Sequence, residues 1–325
     1  RYNVFGATVG GPVVIPKLIN GKDKAFFYFA YEGSRRRDGA TDQFNTPSTE
    51  QRLGDFSKTF QANGSLLPVY DPNTTRNVAG KFVRDQFPGN VIPLARFDKV
   101  GANLVQFYPL ANRTPDNITG ANNYRANYVT GLTRDAYLAK GDINITDKDR
   151  LSVRYLYNSD DRDYTTVMTN AAADTRGPAL RHQNFFYGTY TRVFSPYLIN
   201  EFRFTYGNRI NHELSFGLGE SWPSKLGLKG VPENAFPQFN VTGYRALGNG
   251  AQERRQYPIQ QFQWVNNLSW IRGKNAFKFG VEIGAAFNYE LNFPTASGSF
   301  TMSPLATGLP GTAASGNGFA TLLFG

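Results

Sequence analysis

From Phe277 to Tyr289 the chain alternates with a period of two. Phe277, Phe279, Val281, Ile283, Ala285, Phe287 and Tyr289 form one face, and Lys278, Gly280, Glu282, Gly284, Ala286 and Asn288 form the other. Successive side chains of a strand point to opposite sides, so this spacing predicts a strand with one apolar face. It is far longer than the five or six residues usual in a globular sheet, and it fits the roughly 9–11 that a tilted membrane strand needs.

The pattern recurs at 137–146, 151–158, 201–209 and 262–271, and less cleanly near 2–11, 24–36 and 183–194. Aromatic residues mark the apolar side: Tyr155, Tyr157, Phe202, Tyr206, Trp264 and Trp270 join Phe287 and Tyr289. Aromatic side chains at the two water interfaces form the girdles of a membrane barrel. The connections alternate in length. Short turns are expected at 17–24, 146–150, 194–198 and 272–275, and long polar segments at 37–123, 160–182, 211–259 and 291–317. Short turns on one side and long loops on the other predict an all-β fold, a transmembrane antiparallel β-barrel seen in part, with about eight to ten strands. Residues 1–325 read as part of one barrel domain, with 37–123 as a long extracellular loop within it. Within that loop, Ala95 to Tyr108 carries helical spacing through Phe97, Val100, Leu104, Val105 and Tyr108, which predicts a short helix packed into the loop.

Composition narrows the class. Aromatics make up 15% of the chain, with 27 Phe, 18 Tyr and 33 Gly, a mixture that favours strands and turns. The longest apolar run, Ala25 to Tyr31, is too short for a membrane helix. With no Cys there are no disulfides and no thiolate metal sites. The net charge of +10 comes from 35 basic residues interleaved with 25 acidic ones, and Arg35-Arg36-Arg37 is the one tight run. That scatter argues against nucleic acid and for a basic rim facing the anionic headgroups of outer-membrane lipid and lipopolysaccharide. The chain starts at Arg1 and stops at Gly325 within apolar text, so it is expected to be a fragment of a longer protein.

Residues 3–12 (NVFGATVGGP), ending Gly10-Gly11-Pro12, and 24–33 (KAFFYFAYEG), ending Tyr31-Glu32-Gly33, resemble the start of the barrel in Oar-like TonB-dependent receptors. Further likenesses follow in order: Gly54-Asp55-Phe56-Ser57, Tyr70-Asp71-Pro72, Phe87-Pro88-Gly89-Asn90, Ile92-Pro93 and Gln106-Phe107-Tyr108-Pro109. The closing Gly318-Phe319-Ala320 with Leu322-Leu323 looks like a stretch inside the barrel. The resemblance implies a barrel of about 22 strands filled by an upstream plug. It also implies energy from the TonB complex, through a segment ahead of the plug that is not in this chain.

The residues themselves supply candidate sites. Lys140, Asp142, Arg154, Glu201, Arg203, Arg209, Lys278 and Glu282 lie on the polar faces and suit a wet lumen or a plug contact. Trp222, Tyr244, Arg254 and Arg255 lie in long loops and could contact a solute, whether sugar, peptide or siderophore. His182 and His212 have no metal spacing and read as loop residues. Asp160, Asp161 and Asp163 lack the glycine and final Glu of a Ca²⁺ loop and read as a solvated loop. With no nucleophile elbow and no phosphate-binding loop, no enzyme activity, catalytic residue, cofactor or metal is expected. Three readings follow: TonB-energised uptake of an unidentified solute, a passive porin or surface-binding barrel without a plug, and a soluble secreted carbohydrate-binding β-sandwich.

Overall fold

The structure is a computed structural model that describes residues 1–15, 19–163, 166–174, 177–250 and 252–325. Part of the predicted turn at 17–24, namely Lys17 and Leu18, lies outside the described residues. Eight long strands build the main sheet: β1 (Tyr2–Pro12), β2 (Ala25–Phe44), β3 (Tyr124–Asn144), β4 (Asp149–Asp163), β5 (Ala179–Ser195), β6 (Leu198–Leu214), β7 (Ile259–Arg272) and β8 (Asn275–Asn288). Each pairs antiparallel with the next in the chain, a plain up-and-down meander. Two short strands, Arg254–Gln256 and Leu291–Phe293, extend the end of the sheet and bring it to ten. Pro258 separates Arg254–Gln256 from β7 because proline has no N–H to give to the ladder.

The turns at one end are tight. Only Pro196 and Tyr197 join β5 to β6, and only Gly273 and Lys274 join β7 to β8. Gly273 adopts φ 62° at the first central position, a conformation that costs a side-chain-bearing residue and that a two-residue hairpin favours.

The register carries each face coherently from strand to strand. One row runs Phe29, Ala139, Tyr155, Phe186, Tyr206, Phe262, Ala285, and the next runs Phe27, Gly141, Val153, Gly188, Phe204, Trp264, Ile283. Between them on the opposite face runs Tyr28, Lys140, Arg154, Tyr187, Thr205, Gln263, Gly284. The apolar face is left open: Phe279, Val281, Ile283 and Phe287 on β8 are each more than half exposed. Water would not tolerate so continuous an apolar surface, whereas lipid would.

The strands run further than their alternation predicts. β2 spans 20 residues and β3 spans 21, about twice what crossing a bilayer requires. On β2 the apolar face changes from Phe27, Phe29 and Tyr31 to Arg35 and Arg37 after Gly33, and on β3 the change falls between Tyr137 and Asp135. The upper halves therefore form a polar wall standing above the apolar band. The loop expected from 37 accordingly begins after Phe44. Asp160, Asp161 and Asp163 lie on β4, His182 on β5 and His212 on β6, rather than in loops. Cross-strand ladders extend past the point where the hydrophobic alternation stops, which is why periodicity alone set these boundaries too early.

The buried core lies among the long connections and not in the sheet. Phe56, Val69, Ile92, Leu104, Leu226, Phe236, Phe239, Leu247, Phe319, Leu322 and Leu323 are almost fully buried together. Among the described residues, four short helices frame this crown: α1 (Thr49–Arg52), α2 (Lys99–Val105), α3 (Trp222–Leu226) and α4 (Gly318–Phe324). The helix expected over 95–108 is present as α2, shortened because Asp98 caps it through the Val100 and Gly101 amides and an isolated 3₁₀ turn, Leu94–Arg96, precedes it. Helix α4 packs against α2 at Gly101, where a Cβ would collide with the Leu322 carbonyl. The closing Gly318–Leu323 stretch is thus a helix at the centre of the crown, and does not belong to the sheet.

Candidate functional site: polar wall and crown

All eight charged residues singled out on the strands fall on the single face opposite the aromatic rows. Lys140 and Asp142, two apart on β3, pair at 2.8 Å, and Asp142 also accepts from Ser152 at 2.8 Å. Glu201 and Arg203 pair at 3.2 Å on β6. The Arg154 guanidinium stacks on Tyr187 at 4.3 Å, and Gln263 donates to Glu282 at 2.6 Å. Arg209 and Lys278 sit on the same face farther along β6 and β8. Towards the crown end of β5–β8 this face carries a hollow of about 470 Å³ where Gly207, Gly284 and Ala286 leave room between Phe185, Tyr187 and Gln261.

The acidic cluster does not converge. Asp160 pairs with Arg134 at 2.9 Å, Asp161 lies 3.1 Å from His182 Nε2, and Asp163 faces Arg37. Alternation along β4 sends Asp160 to the face opposite Asp161 and Asp163. Among the described residues no group of His and carboxylates gathers as a metal site.

A match to the family model for an outer membrane beta barrel domain covers residues 1–325. The chain belongs to the outer-membrane β-barrel family. The aromatic face of this barrel domain is its lipid face, and the chain resides in the bacterial outer membrane. Membership removes the soluble-sandwich reading. No curated protein matches the chain, and no solved structure does.

The four loop candidates divide. Trp222 begins α3 and serves the core of the crown, stacking edge-on to Phe107 at 5.6 Å and against Phe236 at 5.4 Å, with Lys225 over its ring. Arg254 and Arg255 sit on a short strand rather than in a loop. Arg254 bonds Gln256, while Arg255 pairs with Glu290 at 3.0 Å and stacks on Tyr257. Tyr244 alone of the four borders a cleft, of about 390 Å³, together with Ser48, Gln51, Thr59, Asn117 and Asn317.

Local chemistry shapes that cleft. Ser48 and Gln51 cap α1 reciprocally, each side chain bonding the other's backbone N–H, which is the capping-box pattern Ser-x-x-Gln. Arg52 reaches from α1 to the carbonyls of Val105, Tyr108 and Pro109, and burial pushes its pKa down. Asn317 caps α4 through Phe319 and Ala320 and donates to the Tyr244 hydroxyl at 3.2 Å. Burial pushes the Tyr244 phenol up to about 12, against the opposing pull of Asn317 and Gln51. Sequence reasoning missed Ser48, Gln51, Thr59 and Asn317. The capping-box spacing was a usable signal for the first two, and an Asn directly before the apolar run 318–324 for Asn317, whereas no local pattern marks Thr59.

Proposed function

We propose that this barrel domain captures a solute at its crown and passes it through a polar lumen by TonB-energised uptake, and that it is a conduit rather than an enzyme. The observation that carries this is the coherence of the charged face across an open sheet. An eight-stranded barrel would close and fill its interior with side chains. Here eight long strands lie side by side while, among the described residues, β1 and β8 pair with no further strand, so the complete wall needs more strands and encloses a wider space. Unpaired edges in lipid are not tolerated, which calls for additional strands at both sides. A wide polar lumen is worth energising only if something blocks it. The resemblance through Gly10-Gly11-Pro12 and Tyr31-Glu32-Gly33 supports an upstream plug and a TonB-contacting segment as that device. Arg35 and Arg37, above the aromatic band on the outward face, suit contact with lipopolysaccharide phosphates.

The test is solute uptake by cells making the natural full-length protein, with and without dissipation of the proton gradient. Uptake that stops on uncoupling supports the energised receptor. Uptake of small solutes that continues unchanged, with matching permeability in liposomes, would establish the passive porin instead.

A further inference from the structure

We infer that the cleft beside Tyr244 is a binding site for a neutral saccharide. This rests on reading the crown as the solute-capturing surface and names the class of solute. The volume, about 390 Å³, lies in the range of small-ligand sites.

The cleft's polar inventory is the first argument. It consists of amides and hydroxyls, with Glu50 and Lys58 as its charged lining residues, opposite in sign and near enough to interact. A site with no excess charge does not select an anionic or cationic ligand. It suits a ligand that presents many neutral donors and acceptors.

The second argument is which atoms remain available. The Tyr244 oxygen accepts from Asn317 Nδ2 at 3.2 Å and is approached by the Gln51 amide, so the phenolic hydrogen is the unspent donor. The Thr59 hydroxyl accepts from Gln51 Nε2 at 2.9 Å and keeps its own hydrogen. Asn117 uses its carbonyl oxygen to hold the Thr119 amide and hydroxyl, which leaves its NH₂ to donate. Three donors of different chemistry therefore border one space whose lining also includes the apolar side chains of Phe60, Leu67 and Ile118. Hydroxyl oxygens and the C–H face of a pyranose meet these requirements together. The cleft is bordered by loop residues and α1, so an extended peptide finds no long strand to join there.

The experiment is calorimetric titration of the natural full-length protein in detergent with short neutral oligosaccharides of glucose, mannose, xylose and galactose. An oligogalacturonate and an uncharged tetrapeptide serve as comparison probes. At least one neutral oligosaccharide is expected to bind, with affinity about tenfold weaker in Tyr244→Phe, which removes one hydrogen bond, and weaker also in Asn117→Ala. Retained heat-dependent gel mobility identifies variants that still fold. Failure of every neutral oligosaccharide to bind overturns the inference. So does binding that both variants leave unchanged, or a cleft that takes the tetrapeptide or oligogalacturonate instead. Saccharide binding without energised uptake would sink the transport reading and leave the site standing, and energised uptake without saccharide binding would do the reverse.

Discussion

The Arg245 guanidinium donates to Asp42 at 2.7 Å, joining the crown segment that carries Tyr244 to the upper wall of β2. The same guanidinium reaches Asp174 at 3.2 Å and lies over the Phe44 ring at 5.0 Å. Burial alone would lower its pKa, but the two carboxylates outweigh that and hold it raised. Replacing Arg245 with Ala leaves both carboxylates without this partner. The pairs are only partly buried, so the expected cost is about 2–3 kcal/mol, below that of a fully buried pair. Hydrogen exchange should rise at 166–174 and 241–247 while the lower strands stay protected.

Gly101 is the close-approach point between α2 and α4. Gly101→Ala must push α4 away from a backbone carbonyl that cannot rotate aside, at about 3 kcal/mol, the upper end for overpacking. Limited proteolysis should then cut the crown, while gel mobility remains heat-dependent because the sheet is untouched. An uncut crown would mean that the helices are not packed as described.

The two faces of β8 provide a direct contrast. Ile283 lies in the aromatic rows and is 60% exposed, so it meets lipid. Ile283→Arg should destabilise insertion by about 2–4 kcal/mol, the cost of a cation near the bilayer midplane. Glu282→Arg, one residue away on the other face, should change folding free energy by less than about 1 kcal/mol. Folding titrations into bilayers of the natural full-length protein measure both, and equal penalties would refute the face assignment.

The crown should respond to pH at both extremes. Its carboxylates, half-buried Asp55 and exposed Asp116, are held below the usual range, Asp55 first by the Ser57 hydroxyl and amide, Asp116 first by Asn122. A carboxylate with a depressed pKa stabilises the fold above its unfolded pKa, and that contribution disappears as pH falls through the folded value. Loosening is therefore expected on acidification below about 4. Tyr244 works in the opposite sense: with its pKa raised to about 12, its contribution is complete below the unfolded value near 10 and is lost as pH rises between the two. Burial raises the Tyr108 phenol as well, so phenolate absorbance should show late-ionising tyrosines whose number falls by one in Tyr244→Phe.

The lower sheet was legible in the sequence because lipid on one side and water on the other impose a strict period of two, as Phe277–Tyr289 displays. The charged side chains at 140, 142, 154, 201, 203, 209, 278 and 282 were grouped by that same period, and the register keeps them together. The crown was hidden for the opposite reason. Leu104, Phe239, Leu247 and Phe319 come from distant segments, and each is an isolated apolar residue in polar surroundings until the connections meet. Trp222 illustrates the difficulty: an aromatic in a loop reads as a ligand contact, and only its rings of neighbours reveal it as core. The cleft depends on the same convergence, since Ser48 and Asn317 are almost a chain length apart.

That common core has a consequence for inheritance. Residues from 45–123, 166–174, 215–250, 252–258 and 289–325 interlock, so a relative could not exchange one of these segments for a foreign one without importing mismatched interior side chains. Diversification of what the surface recognises would therefore proceed by point changes around the rim of a retained module, or by replacement of the whole cap at once. Chimeras built one loop at a time should fail where wholesale cap transplants between homologous barrels succeed.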